Sequence, residues 1–90
     1  MAHPVNAPVL EVILYTRPGC HLCEDVRDEL VALASAYPHH LQEVDITADR
    51  ELHARYHLTI PVVAAAGREL AAPITAGQLQ AFLRDVLSTK

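Results

Sequence analysis

The chain has no tryptophan, a single phenylalanine and a net charge of −4 over 90 residues. A nucleic-acid partner would want a basic face and stacking aromatics, so neither DNA nor RNA is expected to bind. No apolar run approaches the ~20 residues a membrane-spanning helix requires, and no membrane partner is expected. Two cysteines are too few for the disulfide scaffold of a small secreted domain. The N-terminal residues also lack the basic start, apolar stretch and small-residue cleavage site of a secretory signal, so a reducing, cytoplasmic setting is expected. There is no internal repeat and no low-complexity tract. At 51% hydrophobic content the chain can bury roughly 60% of its unfolded surface in one core, which leaves no room for a second domain. Residues 1–8, with Pro4, Asn6 and Pro8 and no periodicity, read as a tail, and residues 9–90 as the single domain.

What the sequence does carry is Cys20-His21-Leu22-Cys23, placed where a strand-like run over 9–16 gives way to a helix-like one over 22–37. A helix N-terminus gathers unpaired backbone N–H groups and the positive end of the macrodipole, so a sulfur held there ionises more readily than a free thiol. The thiolate is the nucleophilic form. A second sulfur three positions on lies one turn away, within reach of a disulfide, and the pair can cycle between dithiol and disulfide.

The remaining elements follow from periodicity. The near-continuous apolar run over 9–16 suits a central strand covered on both faces. Cys23, Val26, Leu30, Leu33, Ala34 and Tyr37 recur at spacings of three and four, a stripe on a helix that must stop before Pro38. A second strand is predicted over 41–46. Thr47 is the expected N-cap of a helix reaching His57, with Leu52 and Tyr56 as its buried positions. Strands over 60–64 and 68–72 flank a two-residue Ala66-Gly67 turn. Thr75-Ala76-Gly77-Gln78 reads as a capping box with Ile74 and Leu79 as its hydrophobic staple, opening a helix that buries Leu79, Phe82, Leu83, Val86 and Leu87. The order βαβ, α, ββα predicts an α/β fold: a four-stranded mixed sheet, with a right-handed parallel crossover followed by a hairpin, and helices on both faces.

The segment from Tyr15-Thr16-Arg17-Pro18-Gly19 through Cys20-His21-Leu22-Cys23 resembles the active-site segment of glutaredoxins and related small redox proteins. Thr59-Ile60-Pro61 is similar to the family's Thr-Val-Pro loop, and Gly67-Arg68-Glu69-Leu70 to the turn and fourth strand of bacterial glutaredoxin-like proteins. The resemblance covers about residues 9 to 87 and implies a thioredoxin-like fold and thiol–disulfide oxidoreductase activity without a bound cofactor. It implies Cys20 as nucleophile, Cys23 as resolving thiol, and a cis Ile60–Pro61 bond that brings backbone groups of Thr59 and Ile60 beside the disulfide to pair with an extended substrate. The partners it implies are disulfide-bearing proteins or glutathione as co-substrate, with glutathione or a thioredoxin-reductase-type protein as electron donor. Arg17, and the last helix's N-terminus at Thr75 to Gly77, are candidate anion contacts.

Two departures from the family pattern shape further expectations, one between the cysteines and one at the last helix, where Pro73-Ile74-Thr75-Ala76-Gly77 stands in place of a Gly-Gly followed by an acidic pair. Where many glutaredoxins carry Pro-Tyr between the cysteines, this chain has His21-Leu22, and a protonated His21 would favour the Cys20 thiolate. Glu24, Asp25, Asp28 and Glu29 oppose it, and offer negative charge that could steer a basic partner. A rival chemistry uses Cys20 and Cys23 with the i, i+4 pair His53 and His57 as a zinc site, or holds an iron–sulfur cluster through the same cysteines. The third reading is a thioredoxin-fold interaction domain without turnover.

Overall fold

A computed structural model describes residues 9–88; the tail assigned to residues 1–8 lies outside the described residues. β1 (Glu11–Thr16) and β2 (His40–Asp45) run parallel and are joined through α1 (His21–Leu33). A 3-10 turn (Ile46–Ala48) and α2 (Arg50–Tyr56) lead to the antiparallel pair β3 (Val62–Ala65) and β4 (Arg68–Ala71), and α3 (Ala76–Ser88) closes the chain. The strands lie in the order β2-β1-β3-β4, with β3 antiparallel to β1.

Alternation along the two central strands distributes the helices over both faces of the sheet. Val12 and Leu14 of β1 and Val63 and Ala65 of β3 pack with Val26 and Leu30 of α1 and with Leu79, Phe82, Leu83 and Val86 of α3. The intervening positions point the other way: Tyr15 and Val62 join Ile46, Leu52 and Tyr56 in a second cluster under α2. Strand side chains alternate with a period of two, so two neighbouring residues serve two cores. Tyr15 stacks on Tyr56, ring centroids 4.2 Å apart, and the Tyr56 hydroxyl donates to Glu69 at 2.6 Å. That bond satisfies the polar end of a buried ring and, followed by burial, raises its pKa above the ordinary tyrosine value.

Several boundaries differ from the sequence expectation, each for a local reason. Regular helix α1 ends at Leu33, where Ala34 N–H tightens onto Val31 C=O; Tyr37 N–H still bonds Leu33 C=O, so the apolar stripe continues through a turn up to Pro38. Thr47 is not the cap of α2. Asp49 is, accepting from Glu51 N–H and Leu52 N–H, while the Thr47 hydroxyl is spent on Asp45 at 2.6 Å. β3 starts at Val62 rather than residue 60, because Pro61 has no N–H to give and the Ile60 N–H goes to Tyr56 C=O. Leu87, expected in the core, is exposed on the flank of α3 beside buried Val86. The capping box forms as read: Gln78 N–H donates to Thr75 Oγ1 and Thr75 N–H to Gln78 Oε1. Ala66 and Gly67 both take positive φ, as a two-residue hairpin turn with the twist of its strands requires.

The Asp45 carboxylate accepts the Thr47 hydroxyl and then the Thr47 N–H, which holds its pKa below the ordinary aspartate range. A depressed folded-state value means stability that is complete above the unfolded value of about 3.9 and is lost as pH falls through the folded one. Asp45→Asn should therefore be less stable than the parent by a constant amount above about pH 5, with the gap closing in acid. Urea midpoints at a series of pH values check this; a gap that persists unchanged to the lowest pH would remove Asp45 from the acid response.

Candidate active site

After β1 the chain turns through Arg17-Pro18-Gly19, and Gly19 takes φ 79°, a conformation open to glycine at little cost. That turn delivers Cys20 to the N-cap of α1 in an extended conformation. Its Sγ accepts the Cys23 N–H at 3.2 Å, and its carbonyl accepts the Glu24 N–H at 3.1 Å. The two sulfurs are joined as a disulfide with Cα atoms 5.2 Å apart. Their environments differ sharply. Cys23 is 1% exposed on the buried face of α1, whereas Cys20 is only partly covered. An incoming sulfur can reach Cys20 and not Cys23, and in the reduced form a Cys20 thiolate would sit on the same N–H that now meets its sulfur.

The Ile60–Pro61 peptide is cis, as is Ala72–Pro73. Pro61 is buried and lines a cavity of about 230 Å³ together with Leu22, the residue between the cysteines, and with Thr75. Three segments distant in sequence thus meet in one cavity that Leu22 borders, although neither sulfur lines it. The backbone expected to receive a substrate is partly engaged: the N–H groups of Thr59 and Ile60 both donate to Tyr56 C=O, and Thr59 C=O and Pro61 C=O share the Ala72 N–H. Among the described residues no loop N–H donates to the Ile60 carbonyl. The capping box likewise occupies the N–H groups of Thr75 and Gln78, leaving those of Ala76 and Gly77 to meet an anion at α3.

Arg17 is not part of this cavity. It lines a second depression of about 290 Å³ with Glu24, Arg27, Glu43 and Asp45, where charges of both signs meet. His21 is 94% exposed at its side chain, with Nδ1 3.8 Å from Glu24 Oε1. Leu22, Asp25 and Glu29, which the sequence reading did not mark as site residues, form the cavity wall contributed by α1. Their spacing of three and four with Val26 was a visible signal, hidden because the second wall comes from residues 61–76.

His53 and His57 stack on one another at 5.0 Å, and His57 Nδ1 lies 2.9 Å from His53 C=O. They do not join the cysteines. Among the described residues no group of three or more His, Cys, Asp or Glu side chains converges as a metal-ligand set, so the Cys2His2 arrangement is not formed.

A four-stranded mixed sheet flanked by three helices, with a Cys-x-x-Cys pair at the head of the first helix, defines a thioredoxin-fold domain. The glutaredoxin-like domain family (DUF836) matches residues 11–84, and the chain belongs to that family. Among solved structures it is similar to protein XcR50 from X. campestris at 36% identity and TM-score 0.70, covering 82% of this chain and 96% of that one. Protein Ne2328 from Nitrosomonas europaea is similar at 25% identity and TM-score 0.71, over 91% of this chain and 98% of that one. Mitochondrial thioredoxin 3 from Saccharomyces cerevisiae, in its oxidised form, shares the fold at TM-score 0.62 and 18% identity, over 90% of this chain and 82% of that one. No curated protein matches the chain. Among the described residues no helix is long and apolar enough to cross a membrane.

Proposed function

We propose that the protein is a thiol–disulfide oxidoreductase working through the Cys20–Cys23 pair in a reducing, cytoplasmic compartment. The observation that carries this reading is the asymmetry of the two sulfurs, one reachable at a helix N-cap and one buried a turn behind it. In the reduced protein the Cys20 thiolate attacks one sulfur of a substrate disulfide, forming a mixed disulfide and releasing the first substrate thiolate, which takes a proton. The Cys23 thiolate then attacks the Cys20 sulfur, which expels the second substrate thiolate and leaves the Cys20–Cys23 disulfide. Two electrons have passed to the substrate. Pro61 lines the cavity with Leu22, the residue between the pair, the Ile60 carbonyl supplies an acceptor for a substrate N–H, and Thr59 positions that loop through its bonds to Tyr56 and Ala72. Arg17, in the mixed-charge depression, and Thr75, in the cavity, serve as contacts for charged or polar substrate groups, and His21 tunes the Cys20 thiolate. No bound cofactor is needed; the electrons return from glutathione or from a thioredoxin-reductase-type protein.

The test is reduction of insulin or of a small mixed disulfide by metal-free protein, supplied in turn with glutathione and glutathione reductase, and with thioredoxin reductase, each with NADPH. Turnover with either donor is the expected result. Failure with both, together with failure of the chemically prereduced protein to reduce the substrate stoichiometrically, would replace this reading with that of an interaction domain.

A further inference from the structure

The four acidic residues at the start of α1 are not equivalent. Asp28 is paired with Arg27 at 3.1 Å, and Glu24 faces His21 and the mixed-charge depression that holds Arg17. Asp25 and Glu29 stand with Val26 and with Leu22, the residue between the cysteines, on the wall of the cavity of about 230 Å³. Among the described residues neither of these two carboxylates has an ion-pair or side-chain hydrogen-bond partner, and no Lys or Arg lines that cavity. The opposite wall, Ala72 to Ala76, is apolar or neutral. A large apolar side chain of the cavity wall is also left in water: Leu22 is 63% exposed.

From this charge pattern we infer that the cavity is the docking groove for a protein segment that carries a basic side chain near the cysteine under attack. Asp25 and Glu29 are its specificity residues, and the groove disfavours the net-anionic glutathione disulfide. This rests on the redox reading above and names its substrate class. Glutathione brings two carboxylates and one ammonium to each sulfur, and the groove meets them with two unpaired carboxylates and, at α3, only two uncommitted N–H groups. A lysine or arginine reverses the balance: its alkyl stem lies against Leu22 and Val26 while its cation reaches the carboxylates. The register follows from helix geometry. Asp25 and Glu29 lie five and nine residues past Cys20, about 7 and 13 Å along the axis. An extended segment advances about 3.3 Å per residue, which places the basic residue roughly two to four positions from the attacked cysteine.

The test compares prereduced protein with its Asp25→Asn/Glu29→Gln variant on four disulfides. These are neutral 2-hydroxyethyl disulfide, glutathione disulfide, and a disulfide peptide with Lys three positions from its cysteine, beside a twin carrying Glu there. The readout is each rate divided by the neutral-disulfide rate of the same protein. The parent should favour the Lys peptide over the Glu twin, and the variant should reduce that preference by about 3- to 30-fold, as one or two partly exposed ion pairs allow. The preference should also fade in 1 M salt, where screening reaches within about 3 Å. The ratio for glutathione disulfide should rise in the variant. An equal Lys-to-Glu preference in both proteins, or none in the parent, would overturn the inference. Binding is followed separately by NMR titration with a Lys peptide whose cysteine is replaced by serine. Shifts centred on Leu22, Asp25, Glu29 and Thr75 support the groove even if no disulfide is reduced, in which case only the redox reading falls. Shifts elsewhere, or none, overturn the groove even if turnover is brisk.

Discussion

Cys23→Ser protein incubated with a disulfide peptide should accumulate one stable mixed disulfide per chain on Cys20, while Cys20→Ser should accumulate none and reduce substrate at the uncatalysed rate. The difference follows from access. Cys20 caps α1 and is partly open to solvent, whereas Cys23, on the buried face of the same helix, is 1% exposed and can be reached only by the Cys20 sulfur joined to it. Removing Cys23 leaves the attacking thiolate and its N–H neighbours in place but takes away the group that would release the adduct. Removing Cys20 leaves a thiol that no external disulfide can approach. Intact-protein mass spectrometry and peptide mapping distinguish the two. Equal adduct yields on both variants would mean that burial does not assign the roles, and the order of attack would have to be redrawn.

Leu14→Ala should lower stability by about 2–5 kcal/mol, a large part of the roughly 5–15 kcal/mol that holds a domain folded. Leu14 is fully buried on central strand β1, opposite Val63 on β3 and Glu43 on β2, and belongs to the core shared with α1 and α3. Truncation removes its transfer energy and leaves a cavity that a sheet paired on both sides cannot close. For a chain of this size the melting temperature should fall on the order of 10–30 °C. Val31→Ala, on the 62% exposed flank of α1, should stay within about 0.5 kcal/mol of the parent. Urea unfolding measures both. A loss below about 1 kcal/mol at Leu14 would mean that this cluster is not the one that carries the fold. The same core supports function, because β1 sets where the Arg17–Gly19 turn hands Cys20 to α1.

The residues differ in how far they could be read before folding. Ile74, Thr75 and Gln78 announce the start of α3 because cap and staple act within a few residues of one another, and both bonds of the box form. The cap of α2 is Asp49 and not Thr47, for a related reason. Asp45, Thr47 and Asp49 are all competent caps, and the choice turned on a side-chain bond between Asp45 and Thr47 that spacing cannot rank. The backbone around Thr59 and Ile60 looks open in the sequence, yet both N–H groups close onto Tyr56 C=O where α2 ends.

Strand and helix order and the position of the cysteine pair at a strand-to-helix junction were both legible as pattern along the chain. Those properties depend on hydrogen bonds and apolar periods that span a turn or a strand. Which sulfur is covered, which two of four neighbouring carboxylates border the groove, and whether the histidines meet the cysteines were decided only by the packed chain. Burial and cavity shape arise where α1 meets residues 61–76, and a side chain's exposure there is set by partners that no local spacing can name.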